Sequence, residues 1–503
     1  MDVKSFLKKL KSQDPRLTKA IASIATAVDK RGAPARALLV GGFVRDVLLG
    51  LHPKDADVEV FGVAPEDLEA LATKLFGEHI DAVGKSFGVL KVFLGDGFEM
   101  DITLPRRESK AGRGHKGFLI DSDPFLSVEE AARRRDFTVN AISADPLTGE
   151  ILDPFHGLKD LEKRVLRVVD PEHFVEDPLR VYRAVQFSAR FGCSIEKKSF
   201  ALMKKMVARG DLAELTKERV SEEIRKLLLK SPKPSVGFEL MRSLGILKKY
   251  YPELNVLART PQEPEWHPEG DVWIHTMMVL DEAAKIIRRD DAPPTDDEKL
   301  QLMVGALCHD LGKASTTGPG EKHGIPRIRS LGHEAAGEEP TRTLLSRWAF
   351  GEAIERAAIL SATEHMHPSN LFRAREANTL TEAQYVNSVR KLLRRIQPLD
   401  WRVFLAVTEA DHRGRGFAGL DTEPYEMGIK FADAVRKFQL EDEAKKTLIQ
   451  GRDIITFSKK LGKKLKPGPR FGEIIAQIES LRDAGAIKTR KEALEKLKEL
   501  LKA

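Results

Sequence analysis

The sequence predicts an α+β fold, in which a mixed α/β head precedes a long helical body. Strand and helix signals alternate from residue 37 to about residue 155. Beyond that point strand-like alternation almost disappears, and helical periodicity continues to the last residues. A chain of 503 residues is also too long for a single hydrophobic core, so several domains are expected.

The composition limits the class of protein. Charged residues make up 32% and apolar residues 42%, which is typical of a helix-rich globular protein. The net charge of +7 favours a polyanionic partner if the charge is clustered. Cys193 and Cys308 lie outside any C-x-x-C spacing, which predicts a reducing compartment without disulfides or a zinc finger. Without a membrane-length apolar run or a signal-peptide core, the protein is expected to be cytoplasmic and to have no membrane partner.

The segment from Leu39 to Gly62 is the most informative part of the chain. An apolar strand, residues 37–40, is broken by Gly41 and Gly42, and an amphipathic helix is predicted over residues 43–49. Glycines let the backbone approach a phosphate chain closely, and the helix start offers free N–H groups to the same anion. This pattern therefore predicts a phosphate-binding turn.

Carboxylates follow that turn. Asp55 and Asp57 enter the next strand two residues apart, so both point to one face, about 7 Å apart along the strand. Two such carboxylates repel unless a cation lies between them, and hard oxygen ligands suit Mg²⁺. Asp101, in the predicted strand 98–102, is a candidate third carboxylate. Together with the glycine turn, Asp55 and Asp57 predict metal-assisted nucleotidyl transfer.

Two motifs carry a family resemblance. The first is GG-x-V-R-D, then L-G and D-x-D, within residues 41–57, and the second is RRRDFTVNAIS at residues 133–143. They resemble the nucleotidyltransferase superfamily of DNA polymerase β type, and within it the class II tRNA nucleotidyltransferases and their poly(A) polymerase relatives. The resemblance implies a polymerase β-like head with a mixed sheet, in which Asp101 lies beside the Asp55 and Asp57 strand.

The same resemblance implies roles for further head residues. Arg135 would contact the incoming triphosphate, and Asp136 would orient the surrounding loops. Asp153 and Gly157 would shape a hinge between head and neck. A basic stretch at residues 105–118 resembles the flexible loop that helps this family switch between nucleotides. The nucleotide-binding residues implied in the head are Gly41, Gly42, Arg45 and Arg135.

A predicted neck helix carries EDPLRVYR, residues 176–183. Asp177 and Arg180 are three residues apart and project from one face. A carboxylate accepts from an exocyclic amino group and a guanidinium donates to ring acceptors, so one such pair accepts cytosine and adenine and rejects uracil and guanine. The alternative is a surface ion pair. The match to the family's EDxxR motif favours base selection and implies that Arg183 reaches the phosphates, whereas ERVSEEI at 218–224 is expected to be structural.

The helical half contains a second candidate site. His275 lies on a predicted helix, and His309 and Asp310 close an apolar one. This arrangement resembles HD-type metal phosphohydrolases, in which imidazole and carboxylate ligands activate water for attack on phosphorus. The resemblance implies a divalent transition metal and phosphatase or 2′,3′-cyclic phosphodiesterase activity. The sequence leaves the fourth ligand open, and the candidates are Asp411, His333 and His365.

The tail, residues 449–475, is basic and helical and resembles the tail with which other class II enzymes grip tRNA. A solvated charged face is the alternative. The cationic side chains expected to follow RNA phosphates are Lys459, Lys460, Lys463, Lys464, Lys466 and Arg470.

These expectations combine into one domain plan. It comprises a helical lead-in (1–36), the nucleotidyltransferase head (37–155), a helical neck and body (156–262), an HD domain (263–385) and a tRNA-binding tail (386–503). The resemblance implies template-independent CCA addition to tRNA from CTP and ATP, with a second phosphohydrolase activity. The alternatives are an A-adding enzyme or poly(A) polymerase, an HD phosphohydrolase with an inactive head, and a non-catalytic RNA-binding protein.

Overall fold

The computed structural model describes residues 3–81, 89–110, 118–420, 422–441, 447–463, 465–483, 486–487 and 489–502. The chain forms two compact units, Met1–Tyr251 and Pro252–Ala503, which are described separately below. The mixed sheet belongs to the first unit, and the second unit is almost entirely helical. The predicted α+β class, with a mixed-sheet head before a helical body, is confirmed.

The head is built on a seven-stranded sheet with the strand order β3-β4-β5-β2-β1-β8-β9. A separate antiparallel hairpin joins β6 and β7, and a short parallel pair joins β10 and β11. The strands of the first unit are β1 (Arg36–Val40), β2 (Asp55–Phe61), β3 (Ile80–Asp81), β4 (Val89–Gly95), β5 (Phe98–Thr103), β6 (Arg106–Lys110), β7 (Phe118–Ser122), β8 (Ser143–Ala144), β9 (Ile151–Leu152), β10 (Val165–Leu166) and β11 (Ser194–Ile195).

The predicted strand, glycine turn, helix and second strand all form. The helix begins at Gly41, two residues before the predicted start. Gly41 has a φ of +69°, which glycine adopts without a Cβ penalty and which turns the chain sharply after β1. β2 then runs antiparallel to β1 and parallel to β5. This parallel pairing sets the residues of β2 beside those of β5 in a fixed register.

The core of the head lies between the sheet and the N-terminal helices. Leu17, Ile21 and Ile24 on the helix Pro15–Asp29 are fully buried and pack with Val58 and Ile102 of the central strands. Leu17, Ile21 and Ile24 recur at helical spacing on one face of the helix, and Val58 and Ile102 are paired neighbours on β2 and β5. The residues before position 36 therefore complete the core of the head.

The remaining helices of the first unit form the neck. The helix Leu179–Phe191 packs against Lys217–Lys230 and Pro234–Leu244. The helices of this unit are Val3–Lys11, Pro15–Asp29, Gly41–Leu48, Pro65–Phe76, Val128–Arg133, Gly157–Glu162, Pro171–Phe174, Leu179–Phe191, Lys197–Arg209, Lys217–Lys230, Pro234–Leu244 and Ile246–Tyr250.

The second unit is a set of packed helices with one hairpin, β12 (Thr317–Lys322) and β13 (Ile325–Ser330). The helices Val272–Ile286, Asp296–Cys308 and Trp401–Arg413 pack together, and Glu352–Glu364 packs on the second of them. The helices of this unit are Pro252–Asn255, Val272–Ile286, Asp296–Cys308, Lys313–Thr316, His333–Ala336, Glu338–Leu345, Glu352–Glu364, Met366–Glu376, Glu382–Arg395, Trp401–Arg413, Glu426–Lys437, Gly451–Lys460, Pro469–Asp483 and Arg490–Lys502.

The last three helices share a small core of their own, which includes Ile454, Ile478 and Leu497. The predicted helical tail is therefore folded in its described part. Across the described residues, every helix falls short of the length and apolar character needed to cross a membrane.

The backbone at Thr138 passes so close to Gly157 that a side chain does not fit at this position. A Cβ at this position would lie 2.1 Å from the Thr138 carbonyl oxygen and 2.8 Å from an Ile142 side-chain carbon. We expect Gly157→Ala to lower the free energy of unfolding by about 2 kcal/mol, because the backbone must shift to admit the methyl group. Chemical denaturation followed by circular dichroism measures this loss.

The control for this prediction is Gly472→Ala on the helix Pro469–Asp483, where an added Cβ meets no atom within 4 Å. Alanine favours a helix over glycine, so this variant is expected to match the parent or exceed it slightly. Equal stability of Gly157→Ala and the parent would contradict the close approach.

Candidate functional site

Three carboxylates meet on one face of the head sheet. Asp57 of β2 stands directly beside Asp101 of β5, and Asp55 stands beside Glu99 on the same two strands. Lys91 of β4 pairs with Glu99 at 2.6 Å and with Asp101 at 3.3 Å. These side chains and Ala56 line one pocket. The fold thus brings together the three predicted acids, and Lys91 balances only part of their charge.

The glycine turn borders the same acids. A Cβ on Gly41 would lie 3.1 Å from a guanidinium nitrogen of Arg135 and 3.5 Å from Asp57 Oδ2. Burial raises the pKa of the Asp57 carboxyl, as do the charges of Asp101 and Asp55, while Arg135 opposes the rise. A bound cation would stabilise the charged form of a carboxylate in this environment. The acid pocket therefore has the donor set and the charge for a divalent metal.

Arg45 is held by side chains of the first unit. Its side chain is buried, donates to Asn140 Oδ1 and to Asp46, and lies over the rings of Phe187 and Phe191. These partners give Arg45 a packing role within the first unit. A contact between this guanidinium and a nucleotide remains a prediction.

Asp136 is a buried junction between the head motif and the neck helix. Its Oδ2 accepts from Arg183 Nε at 2.7 Å, and its Oδ1 accepts from the Asn140 amide at 2.8 Å. Burial opposes the charge of Asp136, but Arg183 and Asn140 hold the pKa of its carboxyl below the ordinary value. Arg183, which was predicted to reach phosphates, is thus engaged by Asp136.

Asp177 and Arg180 are held separately and do not form the surface ion pair considered from their spacing. Arg180 donates to the backbone oxygens of His173 and Arg134, at 2.6 and 2.8 Å. Asp177 accepts from the Leu179 backbone at 3.2 Å and from Arg219, whose nitrogen lies 2.9 and 3.1 Å from the two carboxylate oxygens. Arg219 belongs to the 218–224 segment, and no sequence signal pointed to this pairing.

The second unit gathers the predicted metal ligands from three helices. His275 Nε2 lies 3.2 Å from Asp411 Oδ1 and 3.3 Å from His309 Nε2. His309 Nε2 lies 3.9 Å from the same Asp411 oxygen, and 3.2 Å from Asp310 Oδ2. The four ligands that the sequence predicts, with Asp411 as the fourth, therefore converge.

The two other candidates, His333 and His365, lie on the opposite side of Asp310. Their Nε2 atoms are 3.6 and 3.8 Å from Asp310 Oδ1 and 3.4 Å from each other. Burial and the neighbouring His309 lower the pKa of His365 to about 4, so its imidazole is neutral at pH 7, the state that binds metals. The structure thus places His333 and His365 beside Asp310, and Asp411 beside His275 and His309.

Asp310 is itself buried at the centre of the cluster, and among the described residues neither carboxylate oxygen accepts a hydrogen bond of good geometry. Lys313 Nζ lies 2.7 Å from Oδ2 and also donates to Gln262. Burial opposes ionisation, but Lys313 and His309 hold the pKa of Asp310 well below its ordinary value. A buried, ionised carboxylate that stands among imidazoles and contacts one ammonium group fits a metal centre.

A cavity of about 570 Å³ opens beside this cluster. Four members of the cluster lie in its wall: Asp310, His333, His365 and Asp411. Cations bind phosphate and aromatic rings stack on bases, so the lining suits a nucleotide phosphate ester. The cationic and aromatic side chains of the wall are Trp266, Lys313, Lys322, Arg329, Arg373, Arg415, Phe417 and Tyr425.

Two predicted basic regions are only partly within the described residues. Residues 111–117 of the predicted flexible loop, and Lys464 of the tail, lie outside them. The other five cations of the predicted tail face solvent, which leaves them accessible to a polyanion: Lys459, Lys460, Lys463, Lys466 and Arg470.

Comparison with protein families agrees with this architecture. The family described as "Poly A polymerase head domain" matches residues 37–167, and "Probable RNA and SrmB- binding site of polymerase A" matches residues 192–257. The HD domain family matches residues 272–435, a range that contains His275, His309, Asp310 and Asp411. The fold and sites define a nucleotidyltransferase head followed by an HD-type domain.

Individual relatives make the assignment more specific. Proteins named "Multifunctional CCA protein" are 39% identical in Pasteurella multocida, over 76% of this chain and 85% of the relative, and 37% identical in Stenotrophomonas maltophilia, over 87% and 97%. The chain belongs to this family of class II CCA-adding enzymes, which combine a poly(A) polymerase head, an RNA-binding region and an HD domain.

Solved structures share the fold. The Bacillus stearothermophilus CCA-adding enzyme in complex with CTP has a TM-score of 0.58 at 21% identity, covering 97% of this chain and 98% of its own. The Thermotoga maritima CCA-adding enzyme complexed with tRNA has a TM-score of 0.53 at 19% identity, covering 97% of both chains.

The ion pair between Asp136 and Arg183 generates a stability prediction. We expect Asp136→Asn to lower the free energy of unfolding by about 3 kcal/mol at pH 7, because Arg183 loses its buried counter-charge. Since the pKa of Asp136 is lowered by folding, its contribution is complete above the ordinary Asp pKa near 4 and is lost as the pH falls through the lowered value.

Denaturant unfolding of both proteins across a pH series checks this expectation. The difference between parent and Asp136→Asn should narrow at acidic pH, while the exposed control Asp29→Asn should track the parent throughout. A difference that stays constant down to the lowest pH would contradict a charged role for Asp136.

Proposed function

We propose that this protein adds CCA to tRNA 3′ ends without a nucleic-acid template, using CTP and ATP, and that its HD site is a phosphohydrolase. The observation that carries the transferase proposal is the acid pocket, in which Asp57 and Asp101 stand side by side next to Gly41 and Arg135. Support comes from the family and from relatives whose structures hold CTP, ATP or tRNA.

In this proposal Asp55 and Asp57 hold Mg²⁺, and Asp101 is the third catalytic carboxylate. Bound Mg²⁺ would make the 3′-hydroxyl of the tRNA more acidic and would neutralise charge on the triphosphate. The 3′-hydroxyl of the tRNA would lose its proton to solvent, its oxygen would form a bond to the α-phosphorus, and the bond between that phosphorus and pyrophosphate would break. Asp101 and Lys91 set the charge on the side of the pocket formed by β4 and β5.

The phosphates would bind where the glycine turn meets Arg135. The helix Gly41–Leu48 begins after Val40, whose side chain caps no N–H group, so backbone donors at its start face the ligand. Because Gly41 has no Cβ, no side-chain atom of this residue lies between the ligand and the Arg135 guanidinium. These contacts would orient the α-phosphorus toward the carboxylates.

Asp177 and Arg180 would select the base. Arg219 and the Leu179 backbone occupy part of the accepting capacity of Asp177, and a carboxylate with about four lone-pair sites retains room for an exocyclic amino group. Arg180 uses two of its five donors on backbone oxygens, which fixes its plane and leaves donors for ring nitrogen or oxygen. Cytosine and adenine present the matching pattern.

The HD site would act on phosphate esters. His275, His309, Asp310 and Asp411 would hold a divalent transition metal, which supplies a water molecule acidic enough to attack phosphorus at neutral pH. Lys313, Arg373 and Arg415 of the cavity wall would bind the phosphate group.

The transferase proposal is tested by incubating the protein with Mg²⁺ and tRNAs that end at the discriminator base, at C and at CC. CTP and ATP are supplied singly and together, and products are resolved to one nucleotide. We expect ordered growth to CCA, and a loss of about 10³-fold or more in Asp55→Asn/Asp57→Asn, because the metal contributes several kcal/mol to the transition state.

His309→Ala is the matched control for this assay and should retain CCA addition. Adenylation of the CC end alone would identify an A-adding enzyme, and unlimited A addition a poly(A) polymerase. Failure to incorporate any nucleotide would contradict the transferase proposal and leave the HD site as the working function.

The contact between Arg219 and Asp177 yields a separate prediction. We expect Arg219→Ala to lower kcat/KM for CTP and ATP about tenfold and to raise misincorporation of UTP, because Asp177 loses a charge-assisted hydrogen bond of about 1.5 kcal/mol or more. Steady-state kinetics with single nucleotides measures both effects. Arg219→Lys should recover part of the loss, and unchanged selectivity in Arg219→Ala would count against positioning of Asp177.

A further inference from the structure

The strand β4 borders the acid pocket on the side away from the glycine turn. Neighbouring strands of the head sheet run in the order β4-β5-β2-β1, and the helix that begins at Gly41 follows β1 directly. Asp57 on β2 stands beside Asp101 on β5. The acids therefore lie between two sides, the glycine turn with Arg135 on one and β4 on the other.

An in-line displacement gives each side a role. In phosphoryl transfer the attacking oxygen and the leaving oxygen lie roughly in line, on opposite sides of the phosphorus. The proposed function places the triphosphate at Gly41 and Arg135, so pyrophosphate would leave on the side of β1. The attacking 3′-hydroxyl would then approach from the side of β5 and β4. The end of the RNA would consequently meet the side chains that β4 presents on this face of the sheet.

β4 presents Lys91 and Phe93 on this face. The ammonium nitrogen of Lys91 lies 3.3 Å from Asp101 Oδ1, which places Lys91 on the face that carries the acids. Side chains two residues apart on a strand share a face, so Phe93 belongs to the same face, where it stands beside Glu99. Val92, between them, belongs to the opposite face and is fully buried in the core of the head.

Phe93 is exposed although it lies in the middle of a strand. Its relative exposure is 41%, whereas Leu90 and Leu94 of the opposite face pack against the core. Isolated exposed apolar side chains are common in proteins, and what distinguishes Phe93 is its position on the acid-bearing face. An exposed aromatic ring there offers a surface on which a nucleobase stacks.

Lys91 offers the charge that an RNA end needs beside a group of acids. Its ammonium group pairs with Glu99 at 2.6 Å and with Asp101 at 3.3 Å. An ammonium group has three donors, so these two contacts leave one donor for a phosphate oxygen. Lys91 can therefore hold a phosphate close to carboxylates that would otherwise repel it.

Stacking also suits the reaction, because the last base of the RNA changes during CCA addition. The end is the discriminator base before the first addition and cytosine before the second and third. A site that reads one hydrogen-bonding pattern would reject some of these ends, whereas an aromatic ring stacks on every base. The RNA end thus calls for a different kind of contact from the base-selecting pair Asp177 and Arg180.

We propose that Phe93 and Lys91 bind the 3′-terminal nucleotide of the RNA, Phe93 by stacking on its base and Lys91 by contacting its phosphate. This inference rests on the proposed nucleotidyl transfer for its catalytic meaning. It assigns β4 the task of positioning the attacking end, while the glycine turn and Arg135 hold the triphosphate across the acids.

Photo-crosslinking tests the contact without requiring catalysis. A tRNA that lacks CCA and carries 4-thiouridine as its last nucleotide is mixed with the full chain, without CTP or ATP. The mixture is irradiated with near-ultraviolet light, digested and analysed by mass spectrometry. We expect the terminal nucleotide to be joined to Phe93 and the crosslink to be lost in Phe93→Ala. The control Phe125→Ala changes another exposed ring of the first unit and should keep the crosslink.

Steady-state kinetics adds a readout that a merely structural role would not move. We expect Phe93→Ala to lower kcat/KM for tRNA about tenfold at each of the three additions, with the KM for CTP and ATP unchanged. Phe93→Tyr keeps an aromatic ring and should match the parent. Phe93→Leu keeps apolar bulk but cannot stack, so it should behave like the alanine variant.

The role of Lys91 is measured by the salt dependence of tRNA binding. A lost phosphate contact lowers the slope of log K against log salt by about one, so we expect this decrease in Lys91→Met. An unchanged slope would overturn the assignment of Lys91.

A crosslink that maps elsewhere, or that persists in Phe93→Ala, would overturn the proposal, and the parent decides this even if a variant fails to fold. Equal kcat/KM for tRNA in Phe93→Ala and the parent would also overturn it. A parent that crosslinks through Phe93 but adds no nucleotide would support the end-binding site and contradict only the proposed transfer. A parent that completes CCA but crosslinks elsewhere would do the reverse.

Discussion

A carboxylate that is taken out of water needs positive charge close by, and this constraint organises the functional regions of the chain. Asp136 is buried and receives its charge from Arg183, a permanent partner that also fixes the neck helix to the head motif. Asp57 stands among other acids, and although the field of Arg135 lowers the pKa of its carboxyl, burial and the charges of Asp101 and Asp55 leave that pKa raised. Asp310 is balanced by the Lys313 ammonium group and by the histidines around it.

The difference between these sites is chemical. An arginine counter-charge is never deprotonated and has a fixed geometry, so the Asp136 pair suits a structural junction. The raised pKa of the Asp57 carboxyl indicates that its charge is incompletely balanced, which fits the proposed metal site of the head. Asp136 and Asp57 thus differ in how completely the chain neutralises their charge.

The sequence predicted the features that depend on nearby residues. The strand, glycine turn and second strand around Gly41 follow from local periodicity, and the shared face of Asp55 and Asp57 follows from strand geometry. The register that sets Asp57 beside Asp101 depends on a parallel pairing between strands far apart in the chain, and only the family resemblance suggested it. The pairing of Asp177 with Arg219 spans 42 positions, and spacing within the neck motif pointed instead to Arg180.

The cluster of histidines and aspartates around Asp310 shows the same division between local and non-local information. The adjacent pair His309 and Asp310 indicated a metal site, but the sequence could not tell how Asp411, His333 and His365 divide around it. That division depends on which oxygen of Asp310 faces which helix, and helix packing decides it.

The anchoring of the histidines explains how this packing would prepare the proposed metal site. His309 and His365 each follow the last residue of a helix, where the final carbonyl groups lack intrahelical partners. Their Nδ1–H groups satisfy such carbonyls at Ala306 and Ala362. One hydrogen bond therefore completes the helix end, fixes the tautomer and aims Nε2 at Asp310, so the ends of the helices set the geometry in which these histidines would meet the proposed metal ion.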